Sequence, residues 1–353
     1  MSNTKKIIFI IIFLLSIIAL FFVYNDDFLY SKQIIKIIKI DTLSEEISQN
    51  SLGLEEKYYT KKITGIITNG KQKGNKKTIS YDESYSSVVT DKYKVNDKLI
   101  LDASGIELKR DFYLTIMIVV FLNLLYIVGS YKGLLSVLSI FLNLVIFYIG
   151  LSLYFKGINL LVLCVIEMII FSVISLILSS GMNKKTLSAI LSVIISTLIM
   201  LAILIIIVNF NGYNGINFNE LSFLTVPIED IILPELLIGS TGAIMDVAIT
   251  IASSISELIQ KDNNISIKSL KKSAREIGKD IMSTMSNVLF FTYLCSGLPI
   301  FVLALRNGFS MYNYISSNFT LELTRFLIGS IGIVLTIPVS AHVSIKLMKR
   351  GAK

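Results

Sequence analysis

The chain has 353 residues, of which 53% are hydrophobic and 16% charged, with a net charge of +8 and a mean hydropathy of +0.71. That balance predicts a polytopic membrane protein. The positive charge does not indicate nucleic acid as a partner, because the lysines cluster between apolar spans, where they set topology.

Lys5 and Lys6 precede an apolar run over 7–23. The run is long for a signal peptide and no A-x-A-like site follows it, so an uncleaved anchor over 1–24 with a cytoplasmic amino end is expected. Residues 25–110 change character: they are polar, with charges of both signs. The Ile, Val, Thr and Tyr content of 58–68, 77–81, 86–90 and 93–101 predicts strands, and 34–40 has an apolar–polar mixture. GKQKGN (70–75) reads as a turn between two strands, and Asn96-Asp97 as another, since Asn tolerates the left-handed conformation. The expectation is an extracytoplasmic β-barrel or sandwich-like domain of five or six strands, its lysines on solvated faces.

Seven further apolar spans follow, at 112–130, 134–155, 158–180, 187–209, 231–260, 282–304 and 323–346. Each has about the ~20 residues needed to cross the hydrocarbon core. With the anchor this predicts a mostly α fold: a bundle of about eight spans, seven of them in 111–353, with a small β domain after the first. In that topology fifteen Lys and Arg, from Lys5 to Lys353, fall inside, against Lys156, Arg306 and Arg325 outside. Both termini are therefore expected in the cytoplasm and 25–110 outside. Cys164 and Cys295 both lie in apolar spans, so no disulfide framework stands outside them.

Within the fourth span Glu167 has apolar neighbours, with Cys164 three residues before it. It either faces the bundle interior or stays protonated. The span at 231–260 carries three carboxylates. At about 100° per residue, Glu235, Gly239, Gly242, Asp246, Thr250, Ser253 and Glu257 fall within roughly 40° of one line, and the opposite side is Ile, Leu, Val and Ala. A charge at bilayer depth costs at least ~2.5–3.5 kcal/mol, so the stripe should face other helices or water. Pro234, Gly239 and Gly242 offer places to bend or break this long helix. Asp246, near its middle, suits a proton relay or a cation site, or else holds neighbouring helices by hydrogen bonds. Glu235 and Glu257 lie ~17 Å to either side of it along the axis.

Residues 265–281 form an amphipathic pattern, with Ile267, Leu270, Ala274 and Ile277 on one face and Lys268, Lys271, Lys272, Arg275 and Lys279 off it. This predicts a helix at the cytoplasmic headgroups, between the sixth and seventh spans. Asn287, with Asp280, Ser283 and Thr284, makes a polar patch suited to joining helices. Glu322 and Arg325 are spaced to pair, Gly329, Gly332 and Pro338 allow close packing and a kink, and His342, the one histidine, is read as structural. No phosphate-binding glycine loop, zinc motif or serine-nucleophile elbow occurs, so no enzyme and no cofactor are expected, and the metal question stays open.

The runs GSTGAIMDVAITIASSISEL (239–258), REIGKDIMSTMSNVLFFTYL (275–294) and ELTRFLIGSIGIVLTIPVSA (322–341) resemble the YibE/YibF-like membrane proteins of Gram-positive bacteria. The resemblance extends into the β domain through NGKQKGN and YKVNDKLIL, where Asn96 stands in place of the family's usual Gly. Gly242, Asp246, Glu257, Asp280, Asn287, Glu322 and Arg325 match the family's motif positions. The resemblance implies a permease with no assigned substrate. The partners expected are the lipid bilayer and a small solute or ion, with room for a second related membrane subunit and none for nucleic acid. The alternative is a non-transporting membrane scaffold or sensor whose β domain binds a partner.

Overall fold

The structure, a computed structural model of the chain, describes residues 3–349 apart from 50–52, 54, 88–90, 103–104, 215, 217, 219–225 and 318. It divides into two compact units, Met1–Leu134 and Leu135–Lys353.

The first unit opens with helix α1 (Asn3–Tyr24), whose Ile, Leu and Phe side chains are largely exposed. A 3-10 turn (Asp26–Leu29) leads into strands β1 (Gln33–Gln49), β2 (Glu55–Ile67), β3 (Lys76–Ser84), β4 (Lys98–Asp102) and β5 (Gly105–Leu108). All pair antiparallel in one sheet of order β3-β2-β1-β4-β5, not in the two layers of a sandwich. Ile37, Ile63, Tyr81, Tyr93 and Leu99 form its core, and the Tyr81 and Tyr93 rings meet at 4.9 Å. Of the strand expected at 86–90, Ser86 stands in a turn and Ser87 has φ 58, and 88–90 lie outside the described residues.

Both predicted turns have a physical cause. At GKQKGN, Gly70 and Gly74 take φ values of 71 and 93, and the Gly74 N–H donates to the Ile67 carbonyl at 2.8 Å. Asn96 holds φ 77 without a glycine. A third glycine is required by space. A Cβ on Gly65 would fall 2.7 Å from the Lys36 carbonyl oxygen, beside the register shift between Ile37 and Lys39.

Helix α2 (Asp111–Tyr154) carries two of the expected spans. Ser130 (φ 49, ψ −129) interrupts it. A Cβ on Gly133 would fall 2.3 Å from the Leu125 carbonyl oxygen, so the chain doubles back close to Ser130. The first arm of α2 belongs with α1. The Phe9 and Tyr126 rings stack, Tyr24 meets Phe112 edge-on, and Asn123 donates to the Ser16 hydroxyl at 3.0 Å. The first compact unit therefore ends within α2, at 134/135.

The second unit contains the second arm of α2 and helices α3 (Leu160–Ser180), α4 (Lys184–Asn211), α5 (Glu229–Lys261), α6 (Ile267–Arg306), α7 (Met311–Ser317) and α8 (Thr320–Lys349). Asn159, Asn183 and Ser266 cap α3, α4 and α6, each side chain accepting a backbone N–H of the first turn. Among the described residues seven helices are long and apolar enough to cross a membrane. Helix α5 is the centre, packed on α3, α4, α6 and α8, with half of its apolar window buried.

Small residues let the central helices approach. Ser188, Ser192 and Ser196 recur every four residues on α4, as do Gly332, Thr336, Ser340 and Ser344 on α8, and the hydroxyl-bearing ones are all buried. Ser188 and Ser344 share a hydrogen bond at 3.1 Å, and Ser340 donates to the Ala248 carbonyl of α5 at 3.0 Å. A Cβ on Gly332 would fall 2.7 Å from Ile244 and 2.9 Å from Met200. This is close packing through small residues, with hydroxyls as the links between helices.

Two expectations are corrected. Helix α5 runs unbroken through Pro234, Gly239 and Gly242. Pro234 sits in the second turn, so the backbone bond it removes lies near the helix end rather than at its centre. The amphipathic segment is the first part of α6, continuous with the seventh span. Its apolar face joins the protein core, with Leu270 and Ala274 fully buried, and only Ile267 of the expected face is exposed.

Candidate functional site

The face that α5 turns toward its neighbours is the apolar one. Ile232, Leu236, Leu237, Ile244, Val247, Ala248, Ile251, Ala252 and Ile255 are buried in the core of the second unit. The predicted stripe takes the opposite side. Gly239, Gly242, Asp246, Thr250 and Glu257 are exposed, and Glu235 and Ser253 are half-buried. Of the two surroundings expected, other helices or water, the other described helices reach it only at the Glu235 and Gly239 end and leave the rest open. The reason is that the bundle maximises apolar and small-residue contact, which a line of acids cannot provide.

Along the stripe the surroundings differ. Asp246 makes no side-chain hydrogen bond or ion pair among the described residues, and a Cβ on Gly242, one turn away, would meet nothing within 4 Å. Thr250 donates to the Asp246 backbone carbonyl at 2.7 Å, which leaves the carboxylate unengaged. Ser253 and Glu257 line a cleft of about 500 Å³ with Asn183, Lys184, Lys185 and Gln260. Glu257 also borders a second cleft, with Lys261, Lys272 and Glu276.

Glu235 is different. Its carboxylate receives the Arg325 guanidinium at 2.5 Å, and Arg325 also binds Glu322 at 2.5 Å. The pairing of Glu322 with Arg325 was expected; that of Glu235 was not. The Glu322 side chain is only 5% exposed, and its second oxygen and the Arg325 Nε are buried without a hydrogen-bond partner among the described residues. Two carboxylates therefore share one cation. Tyr293 of α6 belongs to the same neighbourhood: a Cβ on Gly239 would fall 3.0 Å from its hydroxyl.

Glu167 is buried on α3, where a Cβ on Gly150 would fall 1.6 Å from its Oε1. Its place depends on that glycine of α2. Nearby, Ser139 and Asn143 of α2 both bond to Ser175 of α3, at 3.1 and 2.9 Å. Asn287 is exposed on α6, as are Asp280, Ser283 and Thr284. The Thr284 hydroxyl bonds its own helix, at the Ile281 carbonyl, and Asn287 makes no hydrogen bond among the described residues. Among the described residues this patch joins no helices. The structure thus groups Glu235 with Glu322 and Arg325, and leaves Asp246, Asn287 and Glu167 apart from that group.

Sequence reasoning missed a buried charged network in the first unit. The Lys109 ammonium, 2% exposed, sits among Asp26, Asp27 at 2.9 Å and Asp111 at 3.4 Å. Lys98 binds Asp27 at 2.8 Å, and the Tyr30 hydroxyl donates to Asp111 at 2.8 Å. Burial pushes the Asp27 carboxyl up, but hydrogen bonds from Lys98 and Lys109 outweigh it and hold the group below the usual carboxylate range. Burial, reinforced by the bond to Asp111, pushes the Tyr30 phenol up to about 12. For Lys109 burial acts downward, yet its bonds to Asp26 and Asp27 raise it above the ordinary lysine value. A signal was present: Asp26-Asp27 closes the first apolar run, and Lys109-Arg110 immediately precedes the second.

A helical bundle with an unclosed acidic helix face, together with a small antiparallel sheet, defines a class of protein compatible with a membrane. The chain belongs to the YibE/F-like family: the model described as YibE/F-like protein matches residues 117–350, and the YibE/F family N-terminal domain matches 28–118. No curated protein and no solved structure matches it.

Proposed function

We propose that the chain is a multi-pass permease of a bacterial plasma membrane, carrying a small solute or ion along the open face of α5, with Asp246 as the central charged group. One observation carries the reading: a carboxylate at the middle of an apolar helix, unpaired among the described residues and beside the open space at Gly242. An ionised group at that depth is costly unless water or a ligand reaches it. In this reading α5 is a continuous rail, and the helix-break mechanism of ion-coupled carriers is not used. Thr250, Ser253 and Glu257 continue the polar path toward the end of the helix. No enzymatic step and no cofactor is invoked, and both termini lie in the cytoplasm.

The test is flux in proteoliposomes loaded with a pH indicator and challenged with a panel of small ions and solutes. A movement seen with the wild type and lost in Asp246→Asn, with an unchanged chromatographic profile, supports the reading. Equal movement in both sinks it. The exposure of the stripe also supports a second reading, a scaffold or sensor in which a second membrane subunit covers α5 and the β domain binds a partner. There, deleting residues 30–105 abolishes function while Asp246→Asn affects assembly alone.

A further inference from the structure

A cleft of about 440 Å³ lies between α6 and α8, lined by Lys271, Arg275 and Lys279 on one side, with Val334, Ile337 and Pro338 among the apolar groups of its floor. The three cations recur at every fourth residue of α6, so they stand in one row along the helix. His342 of α8 completes the polar rim. Lys279 is paired with Glu276 at 3.0 Å, but neither Lys271 nor Arg275 has an ion pair among the described residues. The floor is built in: Gly278 brings α6 so close to α8 that a Cβ there would fall 2.4 Å from Ile337. The cleft therefore offers uncompensated positive charge directly above an apolar surface, on a helix that becomes a candidate membrane span further along.

We propose that this cleft binds an acidic glycerophospholipid, its phosphate on Lys271 and Arg275 and its upper acyl chain over Val334, Ile337 and Pro338. The charge complementarity names an anion, and the apolar floor names one that carries a hydrocarbon chain. A soluble phosphate ester satisfies the rim and leaves the floor wet. A zwitterionic lipid covers the floor but brings a cation to the rim. The volume suits a headgroup and the first methylenes of a chain, within the usual range of ligand pockets. This site is separate from the stripe on α5 and stands whether or not that face conducts anything; it requires only that the chain is embedded in a bilayer.

Native mass spectrometry of the full chain in detergent, titrated with phosphatidylglycerol, phosphatidylcholine or glycerol phosphate, tests it. The wild type should retain phosphatidylglycerol at least about tenfold better than phosphatidylcholine, and glycerol phosphate should not compete. Lys271→Gln with Arg275→Gln should weaken phosphatidylglycerol binding about 30-fold, from the loss of two cations at the headgroup. Lys268→Gln with Lys272→Gln removes the same charge from α6 residues that do not line the cleft, and should change binding less than about threefold. Equal weakening by both pairs would mean a diffuse basic surface and overturn the site. Displacement by glycerol phosphate would overturn the lipid as its occupant.

Discussion

Glu235 and Asp246 lie on one side of α5, about three turns apart, and the bundle treats them in opposite ways. Glu235 is gripped by Arg325, which also holds Glu322, so that α5 and α8 are tied at that end. Asp246 is held by nothing among the described residues. The same residue chemistry on the same helix thus meets two surroundings. A carboxylate paired across helices ties them together, and one left open adds no such link. The first unit repeats the paired case: Lys109 sits among three carboxylates as Arg325 sits between two.

That contrast can be broken in several ways. Arg325→Met leaves Glu235 and Glu322 without their cation, and removing one partner of a buried pair costs about 3–5 kcal/mol. A fall of many degrees in the melting temperature of the detergent-solubilised protein is expected; no change would show that the pair at Glu235 is incidental. Lys109→Met should cost about as much in the first unit, because Asp26, Asp27 and Asp111 lose the charge that holds them. Gly332→Leu tests the small-residue seam instead. Overpacking against Ile244 and Met200 should cost about 1–3 kcal/mol without touching any charge.

Asp246→Asn should move the melting temperature least of these, within the range of about ±0.5 kcal/mol expected at an exposed position, while removing any coupled flux. A loss of stability as large as that of Arg325→Met would erase the distinction between the two carboxylates. The smallest effect concerns pH. Asp27 titrates below its unfolded value, so its contribution is complete above about pH 4 and fades as the pH falls through the depressed folded value. Amide-exchange protection of the segment around Asp26 and Asp27 should therefore hold from neutral pH to about pH 4 and decline below it. Decline beginning nearer pH 6 would contradict the depressed value.

Much of this was legible in the chain. The first apolar helix, the β region and the later apolar helices follow from composition, because an apolar run of that length and a segment rich in Ile, Val, Thr and Tyr each leave few alternatives. The turns at Gly70–Asn75 and Asn96 were readable because only certain residues take a positive φ at low cost. The Glu322–Arg325 pair was readable because both sit on one helix. The Glu235–Arg325 pair was not, since its partners are joined only by the packing of α5 on α8. The choice between helices and water for the stripe was open for a related reason. A helical wheel says that the acids share a side, but not which side the rest of the chain will cover.

By itself, then, the sequence determined where the apolar helices lie and that a β region follows the first of them, and that seven acidic, glycine and hydroxyl positions align on α5, because these are local consequences of composition and spacing. Only the tertiary structure decided that α5 buries its opposite side, that Arg325 binds two carboxylates while the Asp246 carboxylate has no partner among the described residues, and that Lys271 and Arg275 stand over an apolar floor. Those outcomes depend on how closely helices approach, and the closeness is set by Gly278, Gly332 and the serines of α4 and α8 meeting partners far away in the chain.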